Sequence, residues 1–463
     1  MKQPLTDTIF ALATPAGTGA IAVIRISGPK AFSIMEELFE KRKGQSLNIA
    51  KIKSHTLHFG LLKDGDDMID EILISIFKKP HSYTAEDTVE LSCHGSVYIQ
   101  QRILQLLQKK GARPAQAGEF TLHAFLNGRM DLSQAEAVAD LIATQDANAH
   151  RLALQQLRGG FSVEIKKLRE SLIHFASLIE LELDFAEEDV EFANRDELKK
   201  LIESLQHTVF HLLNSFQYGN VLKNGIPVVI AGKPNVGKST LLNALLNEER
   251  AIVSEIPGTT RDVIEDEIVL EGLRFRFSDT AGIRYTEDVI EKIGVQRTYD
   301  QVVKSTIIIY LLDATNFNKT EVENEIDDFA IKLDSATQHL IIVLNKSDKT
   351  DIQQIKKQLP ASALYISAKT RDGIESLKRN LIDQVKYTVT GDEVLVVNAR
   401  HAAALQKANE EMLQVINAID KKQTSDILAF HIRQSLHHLS EITGDIYTDD
   451  LLENIFSKFC IGK

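Results

Sequence analysis

Gly232-Lys233-Pro234-Asn235-Val236-Gly237-Lys238-Ser239 follows the apolar run Ile226 to Ala231 and precedes the helix-compatible stretch from Thr240 to Leu245. A glycine-rich turn between strand and helix lets backbone N–H groups wrap a di- or triphosphate. Lys238 then brings charge to the β/γ-phosphates, and the Ser239 hydroxyl serves Mg²⁺. Asn345-Lys346-Ser347-Asp348 ends a second apolar run, Leu340 to Leu344. There a carboxylate can accept from both guanine N1–H and the 2-amino group, a pair adenine does not present. Ser367-Ala368-Lys369, at the end of a short strand, closes over guanine O6. The expected ligand is GTP or GDP.

Between these motifs lie residues placed to sense a γ-phosphate. Asp279-Thr280-Ala281-Gly282 follows the alternating strand Leu273, Phe275, Phe277, which puts the Asp279 carboxylate near the Mg²⁺ shell and the Gly282 amide near the γ-phosphate. Gly258-Thr259-Thr260-Arg261-Asp262 supplies a threonine hydroxyl that completes Mg²⁺ coordination in the triphosphate state. Ile283 stands where Ras-type GTPases carry a water-orienting glutamine, and its side chain cannot bond water. Another polar group must therefore do so, with Glu287, Asp288 and Glu291 just downstream.

The elements that position this chemistry fall into three blocks. Residues 1–120 mix strand-like runs (Ile21 to Ile26, Glu71 to Phe77, Thr88 to Ser92) with a helix from Tyr98 to Lys110, the pattern of an α+β domain. From Ser133 to about Tyr218 the spacing is helical, and it resumes at Leu405, Ala408, Met412, Ile416 and Ile419. Two helical stretches flanking the nucleotide module predict one discontinuous helical domain (121–220 plus 386–463) with a P-loop domain at 221–385 inserted into it, the latter a mostly parallel sheet with helices on both faces. The expected fold class is multidomain α/β.

At 463 residues the chain has room for cores beyond a nucleotide module of roughly 160–180 residues. Two cysteines, Cys93 and Cys460, exclude a disulfide scaffold, and there is neither a signal-like segment nor an 18-residue apolar run, so a cytoplasmic location with no membrane association is expected. The formal charge of −12 sits beyond residue 120, because the first 120 residues carry 15 Lys+Arg against 13 Asp+Glu. A broad nonspecific nucleic-acid surface is therefore disfavoured, and any RNA must be met by local basic patches or a partner. His431 and the pair His437-His438 lack a recognised metal spacing and read as helix histidines. The terminal Cys460-Ile461-Gly462-Lys463 fits a lipidation signal poorly.

Further motifs accompany the nucleotide module: Ala13-Thr14-Pro15-x-Gly17-x-Gly19 with Arg25-Ile26-Ser27-Gly28, Glu90-Leu91-x-x-His94-Gly95, Pro114-x-x-x-Gly118-Glu119-Phe120, Ala124-Phe125-Leu126-Asn127, Asp131-Leu132-x-Gln134-Ala135-Glu136-Ala137 and Phe459-Cys460-Ile461-Gly462-Lys463. In this order, over essentially its whole length, the chain resembles the tRNA-modification GTPases of the MnmE (TrmE) family. The resemblance implies a tetrahydrofolate-binding-like N-terminal domain (1–120) that forms a homodimer, a helical domain, and a K⁺-stimulated GTPase. It also implies a flavoprotein partner, MnmG (GidA), carrying FAD in a heterotetramer. Together they add an aminomethyl or carboxymethylaminomethyl group to C5 of the tRNA wobble uridine (position 34).

By matching positions, the one-carbon carrier, 5,10-methylenetetrahydrofolate or 5-formyltetrahydrofolate, falls to Arg25, Glu90, Arg129 and Lys463, with Cys460 nearby as a catalytic residue. The same resemblance assigns nucleotide contacts to Asn235 through Thr240, Ser254-Glu255-Ile256-Pro257-Gly258-Thr259-Thr260, and the motifs above. K⁺ is assigned to Asn235, Ser254, Ile256 and Thr259, Mg²⁺ to Ser239 and Thr260, and water orientation to Glu291. Two alternatives remain, a GTPase switch in ribosome assembly and a folate sensor without RNA chemistry. A terminal cysteine paired with a folate-type block is what a pure switch would not need.

Overall fold

The computed structural model describes residues 7–41, 45–46, 48–184, 194–246, 265–278, 301–302, 304–331, 333, 338–360, 362–386 and 395–462. Two compact units emerge, one comprising 1–142, 156–203 and 407–463, the other 143–155 and 204–406.

The first unit carries an eight-stranded sheet: β1 (Ile9–Leu12), β2 (Ile21–Ser27), β3 (Phe39–Lys41), β4 (Gln45–Ser46), β5 (Thr56–Asp64), β6 (Asp67–Phe77), β7 (Thr88–His94) and β8 (Arg113–Pro114), in the order β4-β3-β5-β6-β7-β2-β1-β8. All pairings are antiparallel except β1 with β8. β6 buries Asp70, Ile72, Ile74 and Ile76 and turns Glu71 and Leu73 to the other face, the period-2 pattern of a half-covered sheet. Helices α1 (Ala31–Leu38) and α2 (Val97–Lys109) cover the apolar face through Met35, Leu38, Ile103 and Leu107. The Ile9 and Ala11 side of β1 packs instead on Phe120, from α3 (Glu119–Leu126).

Helical segments of this unit include α4 (Leu132–Ala143) and α6 (Gly160–Asp184). Between them in sequence runs α5 (Ala147–Leu157), and α7 (Arg195–Asn224) follows α6. In α4, Leu132, Ala135 and Val138 face Leu452, Ile455 and Phe456 of a C-terminal helix, Asp449–Phe456. The side chain of Thr448 accepts from Leu451 N at 3.2 Å, and two aspartates occupy the first turn, a favourable pairing of negative charge with a helix N-terminus.

The second unit holds a six-stranded sheet: β9 (Ile226–Ala231), β10 (Glu265–Leu270), β11 (Leu273–Ser278), β12 (Ile307–Asp313), β13 (His339–Asn345) and β14 (Leu364–Tyr365), in the order β10-β11-β9-β12-β13-β14. Only β10 pairs antiparallel. β12 buries Ile307, Ile309 and Leu311 in one core and Ile308, Tyr310 and Leu312 in another. Burial on both faces is why this parallel strand reads as an unbroken apolar run. Helices α8 (Lys238–Leu246), α9 (Lys319–Ala330), α10 (Ile352–Ile355) and α11 (Ile374–Lys386) complete this sheet's layers, and α12 (Ala399–Asp420) and α13 (Ser425–Thr443) follow before the Asp449–Phe456 helix, α14. No described helix is long and apolar enough to cross a membrane.

Candidate functional site

The loop between β9 and α8 lies at the carboxyl end of a parallel strand, the edge at which open α/β sheets bind ligands. Within it Asn235 takes φ +63° and Val236 is buried. A Cβ added to Gly237 would lie 2.3 Å from Nδ2 of Asn345, so glycine alone admits that approach. The buried Asn345 amide joins three motifs. Its Nδ2 donates to Val236 O at 2.8 Å, while its Oδ1 accepts from Ala368 N at 2.9 Å.

Lys346, at φ +64°, donates to Asn235 O (2.9 Å) and to Asp313 Oδ2 (2.6 Å). Burial alone would raise the Asp313 carboxyl, but hydrogen bonds from Lys346 and Thr315 outweigh it and hold it low. Asp313 is missing from the sequence reading; its only signal is the acid that closes the apolar β12 run. Ser367 Oγ donates to Asp348 Oδ1 at 2.7 Å and lowers that carboxyl, keeping an exposed anion at the expected base position. Lys238 reaches back to Gly232 O (2.7 Å) and Lys233 O (3.0 Å), and burial pushes its ammonium down. Ser239 and Thr240 are exposed on the first turn of α8, and Lys369 is exposed beyond Ala368. Hydroxyl and amide oxygens at Ser239 and Asn235 are hard donors, which fits Mg²⁺ and an alkali ion. No cluster of three or more His, Cys, Asp or Glu able to hold a metal occurs among the described residues. His431 instead bonds Glu411 at 2.6 Å.

A second arrangement of chemistry-bearing groups lies in the first unit. Arg25 on β2 and Glu90 on β7 are cross-strand partners, and Arg25 Nε and Nη2 donate to Glu90 Oε1 at 2.9 and 2.8 Å. The guanidinium lies 4.9 Å from the ring centre of Tyr83 and 5.5 Å from that of Phe120. Its Nη1 is buried with no hydrogen-bond partner among the described residues. An orphaned cationic donor is costly unless a ligand oxygen completes it, and the carbonyl of a pterin or the carboxylate of a glutamate tail would do so. Tyr83 also lines a cavity of about 590 Å³ with His55, Phe77, Pro80, His81, Ser82 and Arg129. Arg25, Glu90 and Arg129 are thus connected through Tyr83.

The connection between β6 and β7 that supplies Tyr83 is also tied to α3 by a charged network that no motif had suggested as chemistry. Glu119 accepts from Arg113 Nη1 (3.0 Å) and Gln116 N (2.7 Å). His123, 1% exposed, sits between Glu119 and Glu86. Burial would raise the Glu119 carboxyl, yet His123, Arg113 and the Gln116 amide bring it to about 2. Burial would likewise lower His123, but the two carboxylates raise it to about 9.

The C-terminal tail docks beside α3. Ala117 and Ile461 form an antiparallel bridge, and Gly118 N donates to Cys460 O at 3.4 Å. A Cβ on Gly462 would lie 2.4 Å from Leu12 O, so the tail presses on the end of β1. Cys460 is exposed, whereas Cys93 is buried and its thiol is pushed up to about 11, chiefly by burial. Thiolate chemistry therefore favours Cys460 over Cys93.

Ser254, Glu255, Ile256, Pro257, Gly258, Thr259, Thr260, Asp279, Thr280, Ala281, Gly282, Glu291 and Lys463 lie outside the described residues.

Comparison with known proteins concerns the chain as a whole. Residues 8–129 match the family model for the GTP-binding protein TrmE N-terminus, and residues 132–460 match that for the MnmE helical domain. The tRNA modification GTPase MnmE of Christiangramia forsetii is 55% identical, covering 99% of this chain and 100% of the relative. The protein of the same name from Flavobacterium psychrophilum is 54% identical, covering 99% of each. The solved G-domain of FeoB from Methanococcus jannaschii is 26% identical over 34% of this chain and 96% of its own, at a TM-score of 0.25, too low to weigh in the assignment. Full-length identity on this scale, with family-model matches over residues 8–129 and 132–460, means that the chain belongs to the tRNA modification GTPase MnmE family.

Proposed function

We propose that the chain hydrolyses GTP and acts in tRNA modification. With a flavoprotein partner, MnmG, it takes part in adding an aminomethyl or carboxymethylaminomethyl group to C5 of wobble uridine. The carrying observation is the bonding of Asn345 and Lys346 to Val236 and Asn235, which joins the guanine motif to the phosphate loop. In this reading Lys238 and the loop amides hold the phosphates, and Ser239 with Thr260 holds Mg²⁺, which neutralises phosphate charge. Asp279 and Gly282 sense the γ-phosphate. K⁺ on Asn235, Ser254, Ile256 and Thr259 supplies transition-state charge, and Glu291 orients the water.

The domain division proposed is 1–120, 121–220 with 386–463, and an inserted 221–385. A reduced folate occupies the cavity beside Arg25, Glu90 and Arg129, with Lys463 as a further folate contact and Cys460 acting on the modification. FAD belongs to the partner. Supporting a homodimer, Leu57, Phe59 and Leu73 are 61%, 42% and 37% exposed on the sheet's open side, an apolar face that a second copy would cover.

Mass spectrometry of wobble uridines, combined with single-turnover GTPase assays, tests the division of labour in cells and protein carrying one variant at a time. Glu291→Ala should cripple hydrolysis with GTP affinity retained, whereas Cys460→Ser should hydrolyse GTP yet lose the modification. Full modification by Cys460→Ser removes the thiol from the chemistry. Hydrolysis should also run faster in K⁺ than in Na⁺ unless Asn235 is replaced by Ala; equal rates in both salts for the unaltered chain remove K⁺ from the mechanism.

A further inference from the structure

Residues 80–87, part of the connection from β6 to β7, supply Pro80, His81, Ser82 and Tyr83 to the cavity wall, and Arg129, three residues past the end of α3, lines the same cavity. Three side-chain contacts pin that segment to the helix. Tyr83 Oη and Thr121 Oγ1 are 2.8 Å apart, Asn127 Nδ2 donates to Thr84 O at 2.8 Å, and His123 Nδ1 lies 3.0 Å from Glu86 Oε2.

The first two are neutral hydrogen bonds; the third is ionic and buried. A neutral imidazole has one N–H and can donate to one carboxylate only. An imidazolium donates from both nitrogens. His123 faces two carboxylates, Glu86 from the 80–87 segment and, at 3.8 Å from Nε2, Glu119 from its own helix. Behind Glu119 stands Arg113, which also bonds Asp7 at 2.9 Å, and Ser27 Oγ donates to Glu86 Oε2 at 3.0 Å. One cation is thus shared by two anions drawn from the two elements that shape the cavity. Loss of its proton removes the charge from both contacts and leaves an N–H for only one carboxylate, so Glu119 falls back on Arg113 and Gln116 N, or Glu86 on Ser27 Oγ.

We infer that His123 is a positioning residue for the carrier cavity: buried between Glu86 and Glu119, it clamps the 80–87 segment onto α3 and so fixes the Tyr83 wall relative to Arg129. This rests on the reading of the cavity as the reduced-folate site. Because the histidine titrates near 9 rather than at its ordinary 6.5, the clamp is complete below the ordinary value and is released as pH rises through about 9.

The test uses the full-length protein as wild type, His123→Gln and His123→Lys. Two quantities are followed from about pH 7 to about pH 10: affinity for 5-formyltetrahydrofolate by calorimetry, and hydrogen-exchange protection of residues 80–87 corrected for intrinsic rates. Wild type should lose protection and about tenfold in affinity together across the upper part of that range. The neutral His123→Gln should be weak and unprotected already near neutrality, with a flat profile, while His123→Lys should restore both and move their loss to higher pH. Protection in His123→Gln that follows the wild-type profile overturns the clamp. A wild type that binds no folate while its 80–87 protection follows the expected profile overturns the carrier reading and leaves the clamp. Should His123→Gln fail to unfold cooperatively, the wild-type profile against that of His123→Lys decides: coincident profiles overturn the proposal.

Discussion

Around the phosphate loop, the groups expected to meet ligand stand open at the carboxyl ends of parallel strands: Asn235 and Ser239 are exposed, and Asp348 is an exposed anion steadied by Ser367. In the network beside the cavity of the first unit, the central charges are paired with one another and withdrawn from water, with His123 and Glu119 buried and Arg113 and Glu86 as their outer partners. The difference teaches where each region's free energy is held. An exposed polar group contributes little to folding and keeps its interaction for a ligand. A buried ion pair is neutral as long as it is whole and expensive once one partner is removed. The nucleotide region should therefore fail in function without failing in stability, whereas the buried network beside the cavity should lose stability together with function.

The sharpest contrast is between Glu119→Ala and Lys238→Ala. The first leaves His123 buried between fewer anions and should cost about 3–5 kcal/mol in urea unfolding of the first unit. The second should leave unfolding within about 0.5 kcal/mol yet lower single-turnover GTP hydrolysis about 100- to 1000-fold. An exchange of these outcomes breaks the comparison.

Titration follows at slightly smaller scale. His123 is raised, so its contribution is fully present below 6.5 and is lost as pH rises through about 9; the shift is worth on the order of 3 kcal/mol. Glu119 is lowered, so its contribution is present above 4.5 and is lost as pH falls through about 2. Thermal unfolding of the first unit should accordingly fall off at both extremes, and His123→Gln should remove the alkaline limb and weaken the acid one, because His123 also helps hold the Glu119 carboxyl low. An alkaline limb retained in that variant means another group titrates there.

Asn345→Ala tests a nucleotide-region residue whose polar side chain is buried, as His123 and Glu119 are. It strips partners from Val236 O and Ala368 N, and should cost about 1–3 kcal/mol and speed GDP release in stopped flow. Asp348→Asn is the smallest in stability, with no measurable shift in melting temperature, because its carboxylate is exposed. It should nonetheless exchange guanine for xanthine preference, since one of two acceptors becomes a donor; unchanged discrimination removes Asp348 from the base pocket.

These two regions were also unequally legible. Gly232–Ser239, Asn345–Asp348 and Ser367–Lys369 are contiguous runs, each set on the end of a strand whose apolar pattern announces it, so the residues and their approximate places could be read together. What could not be read is that Asn345 is the joint between loops 109 positions apart, or that Asp313 holds Lys346. In the first unit, Arg25 and Glu90 were named by family likeness, but their direct pairing depends on a register that matches residues 65 apart. Neither Glu86 nor His123 was singled out, because an isolated Glu or His carries no periodic or motif signal.

By itself, the sequence determined the nucleotide motifs, the alternation of half-buried strands, the helical stretches and the family. Strand faces and phosphate loops are short-range properties, set by side-chain period and local backbone conformation. Only the tertiary structure decided the charge state of His123, the docking of Cys460 against Gly118, and the cavity shared by Tyr83 and Arg129. Each depends on burial and on distances between segments remote in the chain, and proton affinity follows those distances rather than residue type.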